Sequence, residues 1–133
     1  MSGNQDFSDR LSGPASATAF KAPVMVATTA SITLYGAQTI DGVAVVAADN
    51  NGNPGDRVLV KNQASSIDNG IYNVQAAAWT RATDWDGNRD AMDGSLVFTA
   101  HGTTNINKIW KAVCSADTFI NVGVDAVTFS SIN

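Results

Sequence analysis

From Val24 to Asp84, short Val/Ile/Thr-rich runs are broken again and again by turn dipeptides: VMVATTASITLYGAQTIDGVAVV, then PGDRVLVKNQ, then DNGIYNVQAAAWTRATD. β-branched runs ended by Asp-Gly, Pro-Gly or Asn-Gly every 8–12 residues or so are the pattern of an all-β sandwich or barrel. No stretch between them is long enough for the crossover helix that a parallel α/β sheet requires.

Read residue by residue, the pattern predicts strands at Val24–Thr28, Ile32–Leu34, Gln38–Ile40 and Val43–Val46, with Asp41-Gly42 as a two-residue hairpin turn. Asp49-Asn50-Asn51-Gly52-Asn53-Pro54-Gly55 is a loop. Asp56–Gln63 alternates Val58 and Val60 against Arg57, Leu59 and Lys61, a strand with at least one buried side. Asn69-Gly70 turns the chain into Ile71–Val74, and Ala78–Thr83 follows. Ser95–Ala100, the turn Gly102-Thr103-Thr104-Asn105, Ile106–Cys114 and Val127–Ile132 complete the chain. Asn88–Met92 is the one place for a helical turn, and no internal repeat is present. The expectation is a compact antiparallel sandwich or barrel of about nine or ten short strands.

Composition agrees. All 12 acidic residues are Asp, Leu occurs only four times, and Val, Thr and Asn number 13, 12 and 12. Helix formers are scarce, while residues suited to pleated surfaces and turns dominate. A chain of 133 residues is one domain by length, able to bury roughly two thirds of its unfolded surface. Its charge of −4 with scattered Lys and Arg lacks the basic patch that nucleic-acid binding uses. No apolar run reaches the ~18 residues of a membrane span, and MSGNQDFSDRLSG lacks the basic start and apolar stretch of a secretion signal. A protein made in a cytoplasm, without nucleic-acid or membrane partners, is expected.

Residues 1–22 stand apart from the β domain at 23–133: they are rich in Ser, Gly, Ala, Asn and Asp. Such a segment carries too little apolar surface to offset its own ordering entropy. It reads as an extended arm whose anchors, on its own domain or on a neighbouring subunit, are Phe7, Leu11 and Phe20.

Catalytic inventories are thin. The one histidine, His101, lies in a turn, and no nucleophile elbow accompanies Ser95 or Ser115. One His and one Cys, Cys114, do not make a His/Cys metal site, and Cys114 reads as a small packed residue. The Asp-rich stretch Asp84–Gly94 places oxygen ligands at positions 84, 86, 88 and 90, as calcium loops do. It lacks the Gly and Glu of an EF-hand, with Arg89 and Ser95 standing there instead. Trp79 and Trp110 alternate within strands and read as core or subunit-interface residues, whereas Trp85, in the acidic loop, reads as an exposed ring for glycan contact.

The ordered series VATTASITL, QTIDGV, GDRVLVKNQ, NGIY and WTRATD resembles a module of tailed-bacteriophage structural proteins found in tail fibres and other virion surface proteins. The resemblance extends through Gly102-Thr103-Thr104-Asn105 and Trp110 to Val127-Thr128-Phe129. Relative to that module the Asn-rich loop at 49–55 looks like a local insertion. The resemblance implies a virion component without catalytic residues or cofactors, commonly a homotrimer, whose partners are its own copies and the major capsid protein or tail components. A stand-alone module with an arm suits a capsid decoration or cement protein clamping neighbouring shell subunits. The alternatives are a tail-fibre or tail-tip component and, from a different class, a capsule-degrading enzyme, which would need two positioned carboxylates.

Overall fold

The computed structural model describes residues 20–87, 90–114 and 119–133. Among these the protein is all-β, with nine strands in three sheets. The strands are β1 (Val26–Ala27), β2 (Thr39–Ile40), β3 (Val43–Ala44), β4 (Arg57–Val60), β5 (Gly70–Asn73), β6 (Thr80–Arg81), β7 (Leu96–Phe98), β8 (Ile109–Val113) and β9 (Thr128–Ser131). The sheets run β1-β4-β5-β6, β2-β3 and β7-β8-β9. The arrangement is sandwich-like and is not a closed barrel.

Every pairing between consecutive strands is antiparallel, but the entering segment is not. Val26 and Ala27 lie parallel to Val58 and Leu59, and Phe20 and Val24 pair parallel with Leu96 and Thr99. The hydrogen bonds alternate between two neighbours. Lys21 and Val24 donate N–H groups to the carbonyls of Leu96 (2.8 Å) and Phe98 (2.9 Å), while Met25 and Thr28 donate to Arg57 (2.8 Å) and Leu59 (2.9 Å). Ala100 and His101 in turn donate to the carbonyls of Val24 and Met25. One stretch of chain is therefore sewn to β7 on one side and β4 on the other. Pairing with the body already includes Phe20 and Lys21, inside the stretch read as arm; Phe7 and Leu11 lie outside the described residues.

β4 and β5 are buried on both faces. Val26, Val58, Val60, Tyr72 and Val74 pack with Ile40, Val45 and Trp79 on one side. Ala27, Leu59 and Ile71 pack with Trp85, Val97, Trp110, Ile120 and Val127 on the other. The alternation in Asp56–Gln63 separates the two sets as period-2 geometry requires. The face shared by Leu59 is covered by the β7-β8-β9 layer, and Leu59 is fully buried.

Two segments depart from expectation. Ile32–Leu34 forms no strand: at Ile32 the Gln63 side chain takes the place of a neighbouring backbone, accepting the Ile32 N–H at Oε1 (2.9 Å) and donating from Nε2 to its carbonyl (3.0 Å), and backbone pairing begins only at Leu34, whose carbonyl accepts the Trp79 N–H (3.0 Å). The strand expected through Thr83 ends at Arg81, where a 3₁₀ turn over Thr83–Trp85 swings Trp85 inward.

Leu59 is fully buried in the core between the layers. Leu59→Ala is expected to lower unfolding free energy by about 2–5 kcal/mol, read as a shifted urea midpoint with an unchanged slope.

Candidate functional site

The two turns singled out in the sequence, Asp41-Gly42 and Gly102–Asn105, meet in space. Asp41 (φ 48°) and Gly42 (φ 82°) both take left-handed backbone, as the two central residues of a type I′ hairpin turn must. That turn fixes the β2-β3 register, Ile40 opposite Val43, and aims the Asp41 carboxylate at the second turn. Thr104 donates its N–H to both carboxylate oxygens (2.9 and 3.0 Å), Asn105 donates to Oδ2 (2.8 Å), and Thr103 donates to the Asp41 carbonyl (2.9 Å). Gly102 is required by the approach itself, since a Cβ there would strike the Asp41 carboxylate.

From this lock the contacts pass inward. Buried Asn105 donates its side-chain amide to the carbonyls of Ala27 (3.2 Å) and Thr28 (3.3 Å). Thr28 donates its hydroxyl to Asn62 Oδ1 (2.9 Å) and accepts the Lys61 N–H (3.0 Å). Burial raises the Asp41 carboxyl pKa, but the hydrogen bonds from Asn105 and Thr104 outweigh it and hold the group below its ordinary value. Lys61, lowered by burial, places its ammonium 4.5 Å from the Trp110 ring centre, a cation–π contact.

A second polar knot lies at the other end of β4. Arg57 binds Asp84 through two contacts, Nη1 to Oδ1 (3.0 Å) and Nη2 to Oδ2 (3.1 Å), and donates to the carbonyls of Pro23 (3.2 Å) and Ala22 (2.9 Å). Lys21 is buried, with its amine donating to the Asp90 carbonyl. Burial lowers its pKa while Asp84 and Asp90 oppose the shift. The hydrogen bond to the Asp90 carboxyl, with burial and the charges of Asp90 and Asp84 behind it, raises the pKa of Asp86.

The acidic loop thus spends Asp84 on an arginine and Asp86 on a neighbouring carboxyl. Among the described residues no group of three or more His, Cys or Asp side chains is placed to hold a metal ion; Asn88 and Arg89 of this loop lie outside them.

The tryptophans are interior residues. Trp85, expected as an exposed platform, is 1 % exposed and packs 5.6 Å from the Phe129 ring, so neither ring face is open to a sugar. Trp79 (7 %) and Trp110 (8 %) lie one in each core of the chain, and Trp79 donates its indole N–H to the Gly36 carbonyl (2.9 Å). Phe20, by contrast, is 55 % exposed beside Leu96.

Among the described residues no hydrogen bond joins the His101 side chain to a hydroxyl or a carboxylate. Ser95 is buried, its hydroxyl accepting the Met92 N–H (3.1 Å). It sits at the far end of the β7 segment from His101, about 20 Å along extended chain; Ser115 lies outside the described residues. A shallow groove of about 270 Å³ runs past His101, Met25, Asp56 and Arg57. Its carboxylate already accepts the Val46 N–H (2.7 Å), and its guanidinium is committed to Asp84.

No protein family, curated protein or solved structure matches this chain.

The sequence showed Asp41 as a turn residue but not as an acceptor, because its partners lie 63 and 64 positions away. Asp41→Ala removes the acceptor of the Thr104 and Asn105 N–H groups, of which the exposed Thr104 N–H turns to water, and is expected to cost about 0.5–1.5 kcal/mol. Since the folded carboxyl titrates below the unfolded one, its contribution is complete above the ordinary Asp value of about 3.9 and disappears as pH falls through the folded value. Denaturant titrations across that range are expected to show a stability drop in the native protein that is smaller in Asp41→Asn.

Proposed function

We propose that this chain is a structural protein of a tailed-phage virion, a decoration or cement protein whose copies trimerise and clamp neighbouring shell subunits. One observation carries the reading beyond the family resemblance: the outward face of the β7-β8-β9 sheet is largely apolar, with Lys111, Thr128 and Ser130 as its polar members. Cross-strand register puts Phe98 opposite Ile109 and Leu96 opposite Lys111, and Ile132 donates its N–H to the Ile109 carbonyl (3.0 Å). Phe20, Val113 and Ile132 are exposed, while Leu96, Phe98 and Ile109 are half-buried. Lys111 is the only charged residue in the three strands.

An antiparallel sheet packed on one side ordinarily turns polar residues to water on the other, and contiguous exposed apolar patches mark contact surfaces. The polar side chains of the two knots, meanwhile, are consumed in holding the fold, which suits a rigid block more than a reactive cleft.

Magnitude argues for several simultaneous contacts. A face of three strands and about five residues measures roughly 14 by 17 Å from strand spacing and rise. That falls well short of the ~800 Å² each partner gives to a standard interface. A clamp built on it gains strength by repetition through effective concentration and by the arm, which joins the body at Phe20 on this same face.

Sedimentation of the intact protein is expected to give a trimer that co-sediments with particles of its phage and raises their resistance to heat. Removing residues 1–22, or replacing Val113 and Ile132 by Asp, is expected to weaken particle binding at least tenfold, about 1.4 kcal/mol. The Asp variants should keep the native melting temperature. A strict monomer that ignores particles and releases sugar from capsule would overturn the proposal; density on the tail in a particle reconstruction would replace decoration by the fibre reading.

A further inference from the structure

The chain contains two Asn-Gly dipeptides, Asn51-Gly52 and Asn69-Gly70, and the fold treats them oppositely. We propose that Asn51 is a site of spontaneous deamidation in the folded protein, with Asn69 protected. This inference stands apart from the virion reading.

The reaction needs the backbone nitrogen of the following residue to reach the asparagine side-chain carbon. The Gly52 nitrogen gives up its proton and attacks Asn51 Cγ; the N–Cγ bond forms, the Cγ–Nδ2 bond breaks, and ammonia leaves with the proton. Water then opens the five-membered imide at either carbonyl, giving aspartate or isoaspartate, with no change of oxidation state. Glycine favours the step because no side chain shields its nitrogen and its backbone turns freely.

Asn51 meets these requirements. Both Asn51 and Gly52 are exposed. Gly52 has a φ of 92°, and a Cβ placed there would meet nothing within 4 Å. The loop's internal hydrogen bonds spare the reacting atoms: the Asp49 carboxylate accepts the N–H groups of Asn51 (2.8 Å) and Asn53 (3.2 Å), and the Asp49 N–H reaches the Asn53 carbonyl (3.1 Å). Among the described residues the Asn51 side-chain amide and the Gly52 N–H make no hydrogen bond.

Asn69 meets none of them. It is 3 % exposed, donates its side-chain amide to the Val127 carbonyl (2.8 Å) and accepts the Gln63 N–H (3.0 Å). Gly70 lies in β5 opposite Val60, with the Trp85 ring against its Cα. Attack there requires β5 to detach from β4 and Asn69 to release both partners, so it proceeds only through local opening.

Conversion at Asn51 takes the formal charge from −4 to −5 and sets a new carboxylate two residues from Asp49. The isoaspartyl product also adds a backbone atom within the loop that Asp49 closes.

The test is peptide mass spectrometry of the full-length protein during incubation at mildly alkaline pH, with and without 8 M urea as the unfolding agent. In the folded protein, amide-to-acid conversion at Asn51 is expected to outrun that at Asn69 by at least about tenfold. In urea the two sites should convert at similar rates, and Gly52→Ala, which lowers the melting temperature because Ala is strained at a φ of 92°, should suppress conversion at Asn51 in the folded and the unfolded protein alike. Equal rates at the two sites in the folded protein, or an Asn51 that stays intact there while converting in urea, would refute the assignment.

Discussion

The structure hangs on a strand that belongs to two sheets at once. Residues 20–28 hydrogen-bond alternately to β7 and β4, so the layers on either side of Leu59 share a backbone seam as well as a hydrophobic contact. Backbone amides in such a buried place must be paired, and here each side of the seam satisfies half of them. That arrangement lets β4 and β5 be buried on both faces, a situation more familiar from parallel α/β sheets, with no α-helix among the described residues to cover them.

Polar side chains finish what the seam begins. Asp41 ties the β2-β3 hairpin to the turn after β7, Asn105 carries that tie to β1, and Arg57 fastens the opposite end of β4 to Asp84 and to the entering chain. These groups are few and each holds several partners. Among the described residues these side chains are thereby architectural, and the largely apolar outer face of β7-β8-β9 is the surface on which the proposed contacts rest.

Local features were readable from residues alone. Asp41-Gly42, Asn69-Gly70 and Gly102–Asn105 punctuate the chain where their backbone preferences demand, and alternation sorted Val58 and Val60 from Leu59 correctly. What escaped was whatever depends on a distant partner. A Gln63 amide replacing a strand neighbour for Ile32 leaves no periodic mark, and neither does the parallel insertion of residues 20–28, which joins segments about 75 positions apart. Trp85 misled for a related reason: surrounded by Asp and Gly, it has the setting of a solvent loop, and only the 3₁₀ turn at Thr83–Trp85 carries it into the core against Phe129.

The seam also sets an order of events during synthesis. Val24 pairs with Thr99 and Val26 with Val58, so these residues leave the ribosome well before the neighbours they pair with. At about 5–20 residues per second, the partner on β7 follows roughly 4–15 s behind. Until then β4 and β5 hold one apolar flank open to solvent, and the nascent chain has its greatest need of protection from aggregation in that interval.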